Sequence, residues 1–309
     1  MRNKFYRDLK ILAILDNRKR LYKQTITVNG IDINYLCSGR GQDIIMVHGL
    51  AANLSFWYMR IVPMLTKDYR MTVYDLRGHG LSSIPQYGYT TKHMTEDLHG
   101  LLEETGIKKA HLVGHSLGGA ICLNYAILHP EQVLSLSLID CRIHALQPFR
   151  NPHDKEYWMK RREELLAKGI SVSDDTPKVV YIMLEELAPM YEASLSNPKK
   201  KIGLLVQNGT WNPNSRAALR WEKLVSTTTF AEDMMTIGDL TRERISQVSH
   251  PVLLSYGGDS PCLETCRAFE QILVNYKTVI HPGMGHFYPV IAPDLVVQDL
   301  REFLSYLEN

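Results

Sequence analysis

Ala110-His111-Leu112-Val113-Gly114-His115-Ser116-Leu117-Gly118-Gly119-Ala120 is the stretch that decides how this chain folds. Its first four residues read as a short, mostly apolar strand, and the run from Leu117 reads as a helix reaching about His129. Between the two, glycines stand two residues to either side of Ser116. A strand that turns this abruptly into a helix strains the backbone at its centre, and only small neighbours leave room for that. The turn would hold the Ser116 hydroxyl above the strand end. At the helix start the N–H of Leu117 has no partner within the helix and aims at the same place, giving half of a site for an oxyanion. Strand, G-x-S-x-G turn and helix form the context in which this motif presents a nucleophilic serine.

Outward from that turn the texture repeats. Residues 44–47, 71–74 and 134–139 are short apolar runs separated by helical periodicity, as expected of parallel strands covered on both faces by helices. Upstream, residues 25–28 and 31–35 alternate apolar and polar around Asn29-Gly30, an antiparallel hairpin signal. From Cys141 to about Thr236 the strand signal disappears, and helical stretches at 157–168, 178–191 and 216–224 replace it. The earlier rhythm then resumes, with strands at 251–256 and 277–281 and helices at 262–275 and 295–307. The expected organisation is a basic N-terminal helical extension over 1–22, an α/β core over 23–140 and 237–309, and an inserted helical lid over 141–236.

Composition narrows the classes. The chain has 309 residues, 45% hydrophobic and 22% charged, with a net charge of +2, which suits a water-exposed globular fold and lacks the strong basicity of a nucleic-acid binder. Residues 1–23 carry eight basic and two acidic side chains, a net of +6, so the rest carries −4. Within that segment Phe5, Leu9, Leu12 and Leu15 recur at helical spacing. Packing against the body or a second subunit is the favoured reading, and contact with an anionic membrane the alternative. The apolar run Ile11 to Leu15 is too short for a secretory signal, so a cytoplasmic location is expected. Cys37, Cys122, Cys141, Cys262 and Cys266 form an odd, scattered set that reads as reduced thiols. Cys262 and Cys266 could share a helical face and would suit a metal only if further ligands converged, so they read as small core residues and no metal is expected.

Several segments resemble the α/β-hydrolase family, of the lid-bearing esterase and C–C-hydrolase type. The resemblance runs from Tyr22 to Glu308. It rests on the Ser116 turn, on His48-Gly49 with Trp57 downstream, and on Asp75-Leu76-Arg77-Gly78-His79-Gly80-Leu81-Ser82. It implies an α/β-hydrolase fold, a mostly parallel central sheet flanked by helices with an inserted helical lid. The order of triad members in this family, serine, then acid, then histidine, makes Ser116 the nucleophile. His286, in Pro282-Gly283-Met284-Gly285-His286-Phe287, is then the general base and acid. Leu50 and Leu117 would supply the oxyanion N–H groups. His48, Gly49, His115 and Trp57 would border the substrate, and Asp75 and Arg77 would brace their turn. No cofactor is implied.

The acid departs from the family pattern. Members usually carry G-x-x-D-P after the strand following the lid, whereas this chain has Gly257-Gly258-Asp259-Ser260-Pro261. Ungapped alignment puts Ser260 in the acid's place and Asp259 one residue early, which in extended backbone reverses the side-chain direction. Asp140, ending the strand at 134–139, lies where carboxyl ends face the crevice of an open α/β sheet. Asp140 is preferred and Asp259 stays open as the alternative.

A serine nucleophile, where aspartate would signal haloalkane or epoxide chemistry, points to acyl transfer. The expected function is hydrolysis of an ester or thioester with an apolar acyl group. C–C bond hydrolysis and acyl transfer to an acceptor are alternatives on the same triad, and a non-catalytic ligand-binding protein is the alternative from another class. Tyr157, Trp158, Met159, Met183, Met190, Tyr191, Trp211 and Trp221 read first as plain core packing of the lid, with an apolar pocket ceiling as the alternative. Lys160-Arg161-Arg162 and Lys199-Lys200-Lys201 read first as solvated surface, with an acyl-carrier protein as a further partner to test. Oligomeric state is not legible.

Overall fold

The computed structural model describes residues 24–148, 159–160, 162–164, 167, 206–207, 210–211, 216–234, 236 and 239–308. The N-terminal extension and most of the expected lid therefore lie outside the described residues.

The chain enters through β1 (Thr25–Val28) and β2 (Ile31–Gly39), an antiparallel pair. Asn29 and Gly30 between them take φ of 50° and 75°, the left-handed pair that a tight hairpin requires. Then follow β3 (Gln42–Val47), α1 (Ser55–Tyr58), α2 (Val62–Leu65), β4 (Tyr69–Tyr74) and α3 (Thr91–Glu104). Next come β5 (Ala110–His115), α4 (Leu117–Leu128) and β6 (Val133–Ile139). The insertion contributes β7 (Val206–Gln207), β8 (Thr210–Trp211) and α5 (Arg216–Thr227), followed by α6 (Phe230–Asp233) and α7 (Arg242–Ile245). The chain closes with β9 (Val252–Gly257), α8 (Leu263–Glu270), β10 (Tyr276–His281), α9 (Tyr288–Ile291) and α10 (Pro293–Glu308).

Eight strands form one sheet in the order β1-β2-β4-β3-β5-β6-β9-β10. β2 pairs antiparallel with β1 and with β4, and every later pairing is parallel. Alternation along the strands feeds two cores. On β3, Ile45 and Val47 face one core with Leu98, Leu101, Ile121 and Leu123 from α3 and α4. Ile44 and Met46 face the other, with Trp57, Leu65, Val296, Leu300 and Phe303. Each such side chain contributes roughly 1.5–3 kcal/mol by leaving water. Helix α4 is buried from Leu117 through Ala126, the signature of a helix apolar all round and enclosed by the fold. No helix among the described residues is long and apolar enough to cross a membrane.

The insertion is not wholly helical. β7 and β8 pair antiparallel, Val206 with Trp211 and Gln207 with Thr210, around the sequence Asn208-Gly209, the dipeptide most favourable to two-residue hairpins. Helix α5 lies over the β4 turn. Trp221 is buried edge-on against Phe230, 5.4 Å between centroids, and 6.3 Å from the His79 ring. Leu224 closes on Gly78, whose φ of 79° and lack of Cβ allow the approach. Trp221 is thus core packing, while Met159 is exposed.

Candidate functional site

Carboxyl ends of β3, β5, β6 and β9 lie side by side, and the elements that follow them supply the site. Ser116, directly after β5, has φ 51° and ψ −120°, a backbone state foreign to ordinary L-residues. The structure explains the glycines around it. A Cβ at Gly114 would overlap the carbonyl oxygen of Gly118, and one at Gly118 would overlap that of Val47. At Gly119 an added Cβ would lie 2.6 Å from the Cys141 Cβ. The turn is tied to β6 by the Ser116 N–H, which donates to Ile139 O at 3.1 Å. Leu117, as first residue of α4, directs its N–H away from the helix body.

Asp140 follows β6 with φ 46°, and its side chain has no exposed surface. One oxygen, Oδ1, accepts from His286 Nδ1 at 2.9 Å and from the hydroxyl of Ser260. The other, Oδ2, accepts from the Gly257 N–H at 2.7 Å. Asp259, the alternative acid, is exposed, and its backbone N–H donates to Met284 O at 2.9 Å. Ser260 points inward and Asp259 outward, set by a turn and not by strand alternation: β9 ends at Gly257, and the Ser260 N–H donates to Gly257 O at 3.2 Å. The position where relatives would carry their acid instead holds a hydroxyl that donates to the carboxylate on the neighbouring strand.

His286 rides on the loop after β10. That loop is pinned at its base by Met284 N to His281 O at 3.2 Å and by Gly258 N to the same oxygen at 2.8 Å. Gly257 is required for the close passage, since a Cβ there would overlap Met284 O. His115, beside the serine, completes the clamp. Its Nε2 lies 2.9 Å from the backbone oxygen of His286, so that nitrogen carries the proton and donates. Burial lowers the His115 pKa to about 3, which keeps the ring neutral, and it stacks on Phe56 with 4.6 Å between centroids.

Two more neutral histidines brace the loop after β3. His48 Nδ1 donates to Gly49 O at 2.8 Å and its Nε2 accepts from Leu76 N at 3.1 Å, with burial lowering its pKa to about 4. His79 donates from Nδ1 to Arg77 O at 3.0 Å, and its Nε2 accepts the N–H of Ala51 at 3.2 Å. Burial brings the His79 pKa to about 3. Ala51 sits next to Leu50 at φ 56°, so His79 fixes the backbone beside the expected oxyanion donor. Gly49 lacks a Cβ where one would meet Ser116 Cβ at 3.0 Å. The rings of His48 and Trp57 are fully enclosed. His48, expected to shape the site, does so through its bonds to Gly49 O and Leu76 N, and Trp57 packs with Ile61 and Leu65. Asp75 accepts from Leu54 N, Leu81 N and Asn34 Nδ2 at 2.7–2.8 Å, and Arg77 forms a paired-nitrogen bridge to Asp97 at 2.6 Å. Both brace the turn as expected.

The sequence reading missed Ser260 as a partner of Asp140, His79 as a brace, and Cys262, whose Sγ lies 3.5 Å from His286 Nδ1. The first was within reach, because the alignment that displaced the acid put a hydroxyl in its place.

A strained serine turn and a carboxylate-held histidine at the carboxyl edge of a mostly parallel sheet define a class, and relatives agree with it. The profile of the alpha/beta hydrolase fold matches residues 44–169. A 2-hydroxy-6-oxo-6-(2'-aminophenyl)hexa-2,4-dienoic acid hydrolase of Metapseudomonas resinovorans is 31% identical over 294 residues, 91% of this chain and 90% of that one. The chain belongs to the α/β-hydrolase family. A fluoroacetate dehalogenase of a Burkholderia species is 34% identical over 123 residues, 38% of this chain and 40% of the relative, so that match spans less than half of either. A solved bacterial membrane phospholipase A superposes with a TM-score of 0.68 at 22% identity, covering 100% of both chains, a likeness of fold.

Proposed function

We propose that this chain is a serine hydrolase that opens an ester or thioester with an apolar acyl group. The observation that carries the reading is the 2.9 Å bond between His286 Nδ1 and buried Asp140, beside a serine held at φ 51°. In the proposed cycle His286 takes the Ser116 proton on Nε2 while Ser116 Oγ attacks the carbonyl carbon. The tetrahedral oxyanion is received by the N–H groups of Leu117 and Leu50. Asp140 holds Nδ1–H in place and stabilises the imidazolium. Collapse expels the alcohol or thiol, which takes the proton from His286, and water repeats the sequence to release the acid. An aspartate on the turn would instead attack alkyl carbon, so Ser116 separates this chain from dehalogenase chemistry despite the partial likeness to a fluoroacetate dehalogenase.

One observation favours a second reading. A relative matched along nine-tenths of both chains is named as a hydrolase of a 2-hydroxy-6-oxo-hexa-2,4-dienoic acid, so C–C bond cleavage of such a keto acid by the same residues is the alternative. Acyl transfer to an acceptor on the same triad, delivery by an acyl-carrier protein and membrane contact through residues 1–22, which lie outside the described residues, are subsidiary proposals. Turnover of a chain-length series of p-nitrophenyl esters, acyl-thioesters and a dienoic keto acid separates the bond types. A fluorophosphonate probe should label the wild type and fail on Ser116→Ala. Equal labelling of both would end the serine-hydrolase reading.

A further inference from the structure

Cys262 has no part in the proposed cycle, yet its Sγ lies 3.5 Å from His286 Nδ1, which itself lies 2.9 Å from Asp140 Oδ1. The three ligating atoms all fall within 4.8 Å of one another, and all three residues are buried. A tetrahedral zinc with its usual bond lengths separates N from S by roughly 3.6 Å and N from O by roughly 3.3 Å. The sulfur separation already matches, and the oxygen needs a shift of roughly 0.4 Å. We infer that Asp140, Cys262 and His286 form an inhibitory site for a borderline or soft divalent cation, Zn²⁺ or Cd²⁺.

The donor set selects the ion. One thiol, one imidazole and one carboxylate suit zinc and cadmium, whereas magnesium and calcium take oxygen ligands. Charge fits as well, since a carboxylate and a thiolate together offset a divalent ion in a site where unbalanced charge is costly. The supporting shell is in place: Gly257 N–H holds Oδ2 of Asp140, and Ser260 joins the ligands by donating to Asp140 while accepting the Cys262 N–H at 3.1 Å.

Inhibition follows from proton bookkeeping. Binding releases the thiol proton to solvent, and the neutral imidazole keeps its single proton by moving it from Nδ1 to Nε2. An Nε2 that carries a proton cannot accept one from Ser116. The metal also replaces the Asp140 hydrogen bond that orients the ring. Binding thus rests on the ligand geometry alone, while its effect on turnover rests on the serine-hydrolase reading.

The test uses the full chain in chelator-free, thiol-free buffer. Cd²⁺ titration should raise a thiolate-to-cadmium charge-transfer band at one equivalent, and Zn²⁺ should slow fluorophosphonate labelling of Ser116, with recovery on adding EDTA. In Cys262→Ser the band should vanish and the inhibiting concentration rise by roughly tenfold or more, the least that loss of a metal's neighbour produces. Cys262→Ala serves should the serine variant misfold, and Cys266→Ser should behave as wild type. Because Cys37 is the exposed thiol, the band is read as the difference between wild type and the Cys262 variant. An equal band in both overturns the site, and a Cys262-dependent band with undiminished labelling overturns the inhibitory role. Absence of labelling without metal strikes the hydrolase reading instead, and leaves the band to decide the site.

Discussion

Replacing Asp140 by asparagine tests the heart of the site with almost no change of shape. Three donors converge on this carboxylate: His286 Nδ1, the Gly257 N–H and the Ser260 hydroxyl. An amide offers one oxygen and one NH₂ group. Turned with NH₂ toward His286, it forces Nδ1 to become the acceptor and puts the proton on Nε2, so the base is lost. Turned the other way, it sets two donors face to face at Gly257 and leaves a buried N–H unpaired, at about 1–3 kcal/mol. The wrong tautomer in a serine triad costs about 10,000-fold in kcat. Expected for Asp140→Asn is therefore a loss of that order in ester turnover and a slowed fluorophosphonate reaction, with a urea midpoint lowered by no more than the cost of one unpaired N–H. Asp259→Asn, at an exposed position, should leave both turnover and stability within about 0.5 kcal/mol of wild type. Asp140→Asn retaining a tenth or more of wild-type turnover, or Asp259→Asn losing most of it, would refute the assignment.

Gly257→Ala should push Met284 and the His286 loop outward, lowering kcat and costing about 1–3 kcal/mol in a urea titration. An unchanged kcat would show that the loop does not need the passage. Asp97→Ala leaves the Arg77 guanidinium buried without its carboxylate and should destabilise by about 3–5 kcal/mol, whereas Arg77→Leu/Asp97→Leu should recover part of that loss. Acid should weaken the fold. Unfolded imidazoles take up protons below about pH 6.5, but His48 waits until about pH 4 and His79 and His115 until about pH 3. The unfolded state then binds more protons, so stability present above pH 6.5 is lost as pH falls, by up to about 1.4 kcal/mol per pH unit for each ring. Urea midpoints that stay level between pH 7 and pH 5 would contradict this.

How much of this was legible depended on whether a local or a distant constraint spoke. The serine turn could be read because its demand is steric and local: Gly114 and Gly118 must lack Cβ atoms, and nothing else in the sequence explains them. The Asn29-Gly30 hairpin and the apolar strands spoke through the same kind of short-range rule. The acid was half legible: Asp140 at a strand's carboxyl end pointed to the crevice, but nothing local said that a turn after Gly257 would bring the Ser260 hydroxyl to the same carboxylate. His79 was silent and Cys262 legible only as a metal ligand awaiting others, since their partners, Ala51 and His286, are close only after folding. The β7–β8 pair had a signal, Asn208-Gly209, but strands of two residues are too short to show an alternating pattern.

Asp140 also stands just before the expected lid, and the chain directly beyond it is bolted down. Tyr256 donates its hydroxyl to Cys141 O at 2.9 Å. The Gln147 side chain donates to Pro261 O at 2.6 Å and accepts from both the N–H and the hydroxyl of Thr265. A pull on the insertion is thus grounded in β9 and α8 before it can reach the carboxylate. The fold works here like a socket: residues 140–148 keep their place through bonds to Tyr256, Pro261 and Thr265. Gln147 and Tyr256 are the fasteners of that junction.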